Sequence, residues 1–532
     1  MTPAGHSSKG PFMFNLAENL RRQAADLPDK TALVCDDRSL TFAEFDAEAS
    51  KVAHALAAAG VGNQDRVGFI GKNIPEYFTL TYGAAKLNAV MVAVNWRLAP
   101  PEMDYILEHA EAKVVAVEAE FLGHLDSMQL ERGPKIIAIG GESDHEQYAD
   151  WIAGESADDV VVVAEPNDTA VQLYTSGTTG LPKGAEISNH NLEASVPPLT
   201  QVTGIEADDV VLHVLPMFHI GGSGVAHAAV FKGCTSIVHR DVDPGRIFAD
   251  IPGHGVTTAF MVPALLQVLP IIPGASDVDF SSLRTILYGA SPITEEALVG
   301  SMALLKCDHA QVYGLTETTG AVTFLQPEDH DPGGDRAGLL RSAGTPVLGT
   351  EVRIVDEDGN DVADGEVGEI WSRSHQNLKG YWKNPEATAA AFPEGRDEDG
   401  LGWFSTGDAG YIKEGFVYIH DRVKDMIVSG GENIYPAEIE NAIMSHPGVA
   451  DVAVIGIPSE RWGESPLALI IPAPDADPTE QEIIDHCAER LARFKLPASV
   501  ERIAEIPRNP SGKILKTELR KPYWEGRERA VN

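Results

Sequence analysis

The chain has 532 residues, 43% of them apolar and 23% charged, and its 41 basic against 79 acidic residues leave a net charge of −38. That length calls for at least two domains, and that acidity disfavours general binding to nucleic acid or to an anionic membrane, each of which needs a basic face. Four scattered cysteines (Cys35, Cys234, Cys307, Cys487) without a C-x-x-C pair argue against a zinc site or a disulfide framework and fit a reducing cytosol.

In chain order, the first twelve residues read as loose. They contain no apolar core of signal-peptide length, and no later run reaches membrane-spanning length, so a cytoplasmic protein without stable membrane insertion is expected. Leu40 to Gly60 reads as a helix: Thr41 and Glu44 have capping-box spacing, Phe42, Phe45, Ala49, Val52 and Leu56 share one face, and Gly60 ends it. Short apolar runs follow at 66–70, 114–117, 210–215, 235–239, 257–262 and 285–290, with helical stretches between them. That alternation predicts helix-covered sheets with parallel strands. After about residue 345 the chain becomes rich in Gly, Asp and alternating Val/Ile. It reads there as antiparallel hairpins with a turn at EDGN, 357–360. Beyond HDRVKD (420–425), strands at 451–457 and 467–472 are expected to flank a helix. A further helix, Thr479 to Leu491, opens on a capping box of Thr479 and Glu482. The expected fold is therefore α/β: a large N-terminal domain of helix-covered mixed β-sheets plus a β-rich subdomain (1–423), and a small mobile α+β C-terminal domain (424–532).

The string YTSGTTGLPKG, Tyr174 to Gly184, follows a stretch that reads as a buried strand. Gly177, Gly180 and Gly184 free the backbone to aim N–H groups at an anion. Thr175, Ser176, Thr178 and Thr179 add hydroxyl donors, and Lys183 adds a mobile charge. The string is not a nucleotide-triphosphatase loop. Pro182 and Gly184 break the G-x-x-x-x-G-K-[ST] pattern, which opposes simple ATP hydrolysis. A Gly/Thr surface turn is the plain alternative, and the length of the string favours phosphate.

This loop resembles the signature loop of the adenylate-forming superfamily, which holds acyl-CoA synthetases, nonribosomal-peptide adenylation domains and luciferases. YGLTETTG (313–320), STGDAG (405–410), DRVKDMIVSGGENIYP (421–436) and NPSGKILK (509–516) resemble its other motifs, in the same order and at similar spacing. The resemblance implies an AMP-forming acid–thiol ligase. It would activate a carboxylic acid as acyl-AMP with release of pyrophosphate, then pass the acyl group to CoA. ATP and CoA would be co-substrates and Mg²⁺ the metal.

The residue roles follow motif by motif. Glu317 would serve Mg²⁺, a hard ion content with one carboxylate plus phosphates. Thr316 would contact the α-phosphate, and Tyr313, next to Gly314, would stack on adenine. Asp408 would accept both ribose hydroxyls, with Arg422 alongside. Lys424 would be the hinge, and Gly430 and Gly431 would admit the CoA arm. Lys513 would lie between substrate carboxylate and α-phosphate, where a cation lowers the barrier to joining two anions; Lys516 reads as a surface charge. LPMFHIGGSG (215–224) resembles the acyl-pocket motif. It would place His219 by the substrate carboxylate, unless His219 is a packed core histidine, with Gly222 and Ser223 beside it. Gly289, Ala290 and Ser291 would wall adenine and acyl group, and Thr318 would complete the pocket. Small residues leave volume, favouring a medium- or long-chain fatty acid or a ring-bearing acid over acetate.

Other readings remain beside this one. A stand-alone adenylation enzyme loading a carrier protein needs the same first half-reaction. Nothing specific to light emission is present, and a non-catalytic regulator would have no need of Lys513 and Glu317. No G-x-S-x-G elbow supports a serine hydrolase despite GGSG. The sequence names neither the acid nor the oligomeric state; a homodimer is carried only as a guess.

Overall fold

The computed structural model describes residues 14–175, 181–422, 425–429, 432–459, 461–508 and 514–525. Among them the strands form four sheets, of nine, eight, four and five strands. The nine-stranded sheet has a parallel centre of Thr235–Val238, Val210–His213, Thr258–Met261, Thr285–Gly289 and Asp308–Leu315, adjacent in that order. Gly320–Leu325 then turns back antiparallel to Asp308–Leu315. The eight-stranded sheet is parallel through Val90–Val94, Arg66–Ile70, Ala112–Glu118 and Lys135–Ile139, with Thr169–Thr175 added beside Val90–Val94. Central strands such as Arg66–Ile70 and Val90–Val94 are buried at every position, as strands covered by helices on both faces must be.

The first long helix is Phe42–Ala58, opened by the expected reciprocal box: Glu44 N–H donates to Thr41 Oγ1 at 3.2 Å and Thr41 N–H to Glu44 Oε2 at 2.8 Å. It packs with Pro75–Lys86, whose Tyr77, Phe78, Leu80 and Tyr82 are almost fully enclosed. Lys86 ends that helix with no exposed surface, and its ammonium is compensated by Asp46 at 2.8 Å and Asp159 at 2.5 Å. A buried charge persists only when paired in this way.

The Gly- and Asp-rich region forms the four-stranded antiparallel sheet Glu351–Val355, Gly368–Arg373, Trp403–Lys413 and Phe416–Arg422. The turn at EDGN is closed by Asn360 N–H donating to Asp356 Oδ1 at 2.9 Å, with Gly359 at φ +82°. From Ile427 onward the strands belong to the five-stranded sheet.

Three sequence expectations need correction. No helix separates the strands at 451–457 and 467–472: Val449–Ser459 and Gly463–Pro472 are longer than their apolar cores and pair directly as an antiparallel hairpin. The helix of that region, Pro436–Met444, comes before both. The helix at Thr479 has its capping box but ends at Ala488, three residues short of Leu491. Lys516, read as a surface charge, is 8% exposed and bridges Glu440 at 3.0 Å. Among the described residues no helix is long and apolar enough to cross a membrane.

Three core histidines make stability depend on pH. Burial lowers the His213 pKa to about 3 and those of His227 and His309 to about 4. The unfolded chain takes up these protons first, so the stability present above about pH 6.5 is lost as pH falls towards 4. The carboxylates titrate mostly below pH 5, so the change from pH 7 to 5 reports the histidines. The urea midpoint should fall over that interval, with each histidine contributing roughly 2 kcal/mol at most. A midpoint that holds or rises would show that these side chains are not buried in neutral form.

Candidate active site

The loop hairpin positions the first two groups. Thr169–Thr175 and Lys183–Ser188 pair antiparallel with Thr175 opposite Lys183, so both residues stand at the mouth of the glycine-rich loop. Ser176, Gly177, Thr178, Thr179 and Gly180 themselves lie outside the described residues. The far strand is extended by Gly380–Tyr381, which pairs with Lys183–Ser188 through Gly380 with Glu186 and Tyr381 with Ala185.

The third group arrives from the other large sheet. Asp308–Leu315 ends in a single 3-10 turn, Thr316–Thr318. Glu317 Oε1 accepts hydrogen bonds from Thr175 Oγ1 at 2.9 Å and from the Tyr381 hydroxyl at 3.1 Å. The Glu317 carbonyl accepts from Leu378 N–H at 2.7 Å, fixing the backbone as well. The turn is closed behind it by Thr319, at φ +51°, whose carbonyl accepts from Ser195 Oγ at 2.7 Å. Such a strained residue survives only where its surroundings hold it. Gly314 faces the Gly320 carbonyl so closely that a Cβ would lie 1.6 Å from the oxygen, so only glycine fits the return of the chain.

The same strand carries Tyr313. Its hydroxyl donates to Asp408 Oδ2 at 2.8 Å, linking it to the four-stranded sheet. Asp408 is 7% exposed, and its N–H donates to Thr406 Oγ1 at 3.1 Å. In backbone register Asp408 lies opposite Arg422. Thr175, Lys183, Tyr313, Glu317 and Asp408, spread over more than two hundred residues of sequence, thus come together from three sheets.

His219 precedes the helix Ile220–Lys232 and packs on Phe218, with ring centroids 4.6 Å apart. Its Nε2 is buried without a hydrogen-bond partner among the described residues. Desolvation, and secondarily the Arg97 charge, lower its pKa to about 4, so the ring is neutral at pH 7. A neutral ring with an unused nitrogen can donate to or accept from a polar ligand without bringing a charge.

Several small residues prove to be packing devices. A Cβ on Gly222 would lie 2.3 Å from the Pro216 carbonyl oxygen, and one on Gly289 would lie 2.0 Å from that of Val312. Ser223 is buried and its hydroxyl donates to the His219 carbonyl at 3.1 Å. Thr318, expected in the acyl pocket, has no exposed surface. Its hydroxyl donates to the Leu315 and Gly320 carbonyls and accepts from Leu315 N–H, so it closes the turn and offers nothing to a ligand. Ala290 is exposed at φ +69° beside the half-buried Ser291. Thr316 begins the 3-10 turn and is half-buried. Lys424, Gly430, Gly431 and Lys513 lie outside the described residues, as does the Arg422 side chain. Tyr381 is the functional candidate that motif reading missed. Its only sequence signal is an aromatic residue between Gly380 and Trp382.

Two family models match the chain: the AMP-binding enzyme over residues 20–382 and the AMP-binding enzyme C-terminal domain over residues 438–513. The fatty acid–[acyl-carrier-protein] ligase ScoC of Streptomyces coeruleorubidus is 38% identical over 98% of this chain and 99% of its own. The long-chain-fatty-acid–CoA ligase FadD13 of Mycobacterium tuberculosis is also 38% identical, over 96% of this chain and 99% of its own. Among solved structures, ATP-bound MatB from Rhodopseudomonas palustris superposes with a TM-score of 0.88 at 29% identity, covering 96% of this chain and 99% of MatB. The same protein without ligand, also 29% identical and covering 96% and 99%, superposes at 0.78. The ordered motifs, the junction of three sheets and these matches agree: the chain belongs to the AMP-binding enzyme family of adenylate-forming ligases.

Proposed function

We propose that this protein is an ATP-dependent acid–CoA ligase acting on a fatty or ring-bearing carboxylic acid. The observation that carries the reading is the joining of Thr175 to Glu317 and of Tyr313 to Asp408. Tyr313 and Glu317 are four residues apart, at most about 14 Å of extended chain. A nucleotide laid along that stretch meets Asp408 at its ribose and the loop, Lys183 and Glu317 at its phosphates.

Glu317 suits Mg²⁺. Its Oε1 is taken by two donors, while Oε2 accepts no hydrogen bond among the described residues. No cluster of three or more His, Cys, Asp or Glu forms a metal cage among those residues, which fits an ion that relies on phosphate and water for its remaining ligands. When bound, Mg²⁺ neutralises phosphate charge. The chain's own part is to place the reactants. Thr175, Thr316 and Lys183 hold phosphates. The neutral His219 offers Nε2 to the acid. Lys513, carried over from the motif resemblance, approaches carboxylate and α-phosphate as the carboxylate oxygen bonds to α-phosphorus and pyrophosphate departs. In the second step the CoA sulfur bonds to the acyl carbon, AMP leaves with the electron pair of the cleaved C–O bond, and the thiol proton passes to solvent. Positioning and charge stabilisation supply most of the acceleration in such transfers.

We place the domain boundary near Lys424, giving 1–423 and 424–532. Phe416–Arg422 is the last strand of the four-stranded sheet and Ile427–Ser429 belongs to the next. MatB itself fits this chain differently with and without ATP, which supports a family whose parts move and a shape here nearer the ATP-bound one. Rotation about Lys424 would withdraw Lys513 and admit CoA past Gly430 and Gly431. The acceptor has one competing reading: the ScoC relative is named for a carrier protein, at the same identity as the CoA-using FadD13.

Incubation with Mg·ATP, CoA and a panel of carboxylic acids, followed by mass spectrometry, tests the reading. AMP and acyl-CoA should rise together for one class of acid. Acyl-AMP accumulating without acyl-CoA across the panel would move the acceptor to a carrier protein, and ADP release would refute adenylation altogether. The two steps should also separate by mutation. Lys513→Ala should slow acid-dependent ATP–pyrophosphate exchange by about 10²- to 10³-fold. Lys424→Pro should spare exchange and slow thioester formation, and an equal loss of both steps would count against the hinge.

A further inference from the structure

Tyr381 touches both charged groups assigned to the phosphate end of the site. Its hydroxyl donates to Glu317 Oε1 at 3.1 Å. The Lys183 ammonium lies 5.2 Å from the centroid of its ring. The backbone around it is pinned to the loop hairpin: Tyr381 pairs with Ala185, and Trp382 N–H donates to the Gly184 carbonyl at 2.8 Å. Tyr381 N–H donates to Thr388 Oγ1 at 2.9 Å. The next residue is locked as well. Trp382 stacks on the Arg66 guanidinium at 3.5 Å, and its Nε1–H donates to the His109 carbonyl at 3.0 Å. Arg66 is 6% exposed and pairs with Glu186 at 3.1 Å. The tyrosine is therefore mounted on a rigid element and meets a carboxylate that arrives from another sheet.

We propose that Tyr381 is a positioning residue for ATP capture, a role that rests on the nucleotide site described above. Its phenol and the Thr175 hydroxyl occupy the same carboxylate oxygen, which turns Oε2 of Glu317 towards the metal that accompanies ATP. Its ring face holds the Lys183 ammonium beside the loop until phosphate draws it away. A flexible lysine confined near its target loses less entropy on binding than a free one. A carboxylate fixed by two donors likewise holds its geometry before the ligand arrives.

Two variants separate the two contacts. Tyr381→Phe keeps the ring and its packing and removes only the hydroxyl. Tyr381→Leu removes both. ATP binding is measured by calorimetry, with excess Mg²⁺ and again in EDTA, alongside thermal unfolding. Wild-type protein should bind ATP more tightly with Mg²⁺ than without. In Tyr381→Phe that gain should shrink by about tenfold, the scale of a hydrogen bond to a charged group. Its affinity in EDTA should stay unchanged, and its unfolding temperature should fall only modestly, because Thr175 still holds the carboxylate. Tyr381→Leu should lose affinity in EDTA as well, because Lys183 is no longer held. A Tyr381→Phe protein with the full Mg²⁺ gain would overturn the proposal, and so would equal losses with and without Mg²⁺, which would mark a packing role. Absence of ATP binding in the wild type would instead refute the nucleotide site itself.

Discussion

The Glu317 carboxylate is the point at which two sheets are fastened together. It sits at the end of a strand in the nine-stranded sheet, and its donors Thr175 and Tyr381 belong to the eight-stranded one. A hydrogen bond to a charged acceptor is stronger than one between neutral groups. Held this way, the carboxylate fixes the turn that also carries Thr316, and the strand leading into that turn carries Tyr313. The Tyr313–Asp408 contact then ties in the four-stranded sheet. Remove the carboxylate and the two large sheets lose the charge around which they meet.

Glycine and small residues make that junction possible in a way that differs from their apparent purpose. Gly289, Gly314 and Gly222 all face backbone carbonyls too closely for any side chain. They let neighbouring strands and a helix end approach closely. Thr318, in the turn after Gly314, is likewise turned wholly inward.

Much of this was legible in the sequence. The capping boxes at Thr41 and Thr479, the buried parallel strands and the hairpins of the Gly- and Asp-rich region all follow from local rules. Ordered motifs named Thr175, Lys183, Tyr313, Glu317 and Asp408. The helix expected between 457 and 467 failed because the strands run past their apolar cores into polar residues, and pairing across the hairpin holds them extended. Lys516 was misread because nothing local shows that Glu440, 76 residues earlier, lies beside it. Tyr381 was invisible for the same reason: its importance comes from Glu317 and Lys183, which reach it only through the pairing of distant strands.

We propose that residues from three sheets act as one nucleotide site. Hydrogen–deuterium exchange with Mg·ATP and the acid it activates tests this most directly. The segments 169–188, 308–325 and 403–422 should gain protection together, over the same range of ligand concentration. Protection confined to one segment, or three segments responding at different concentrations, would contradict it.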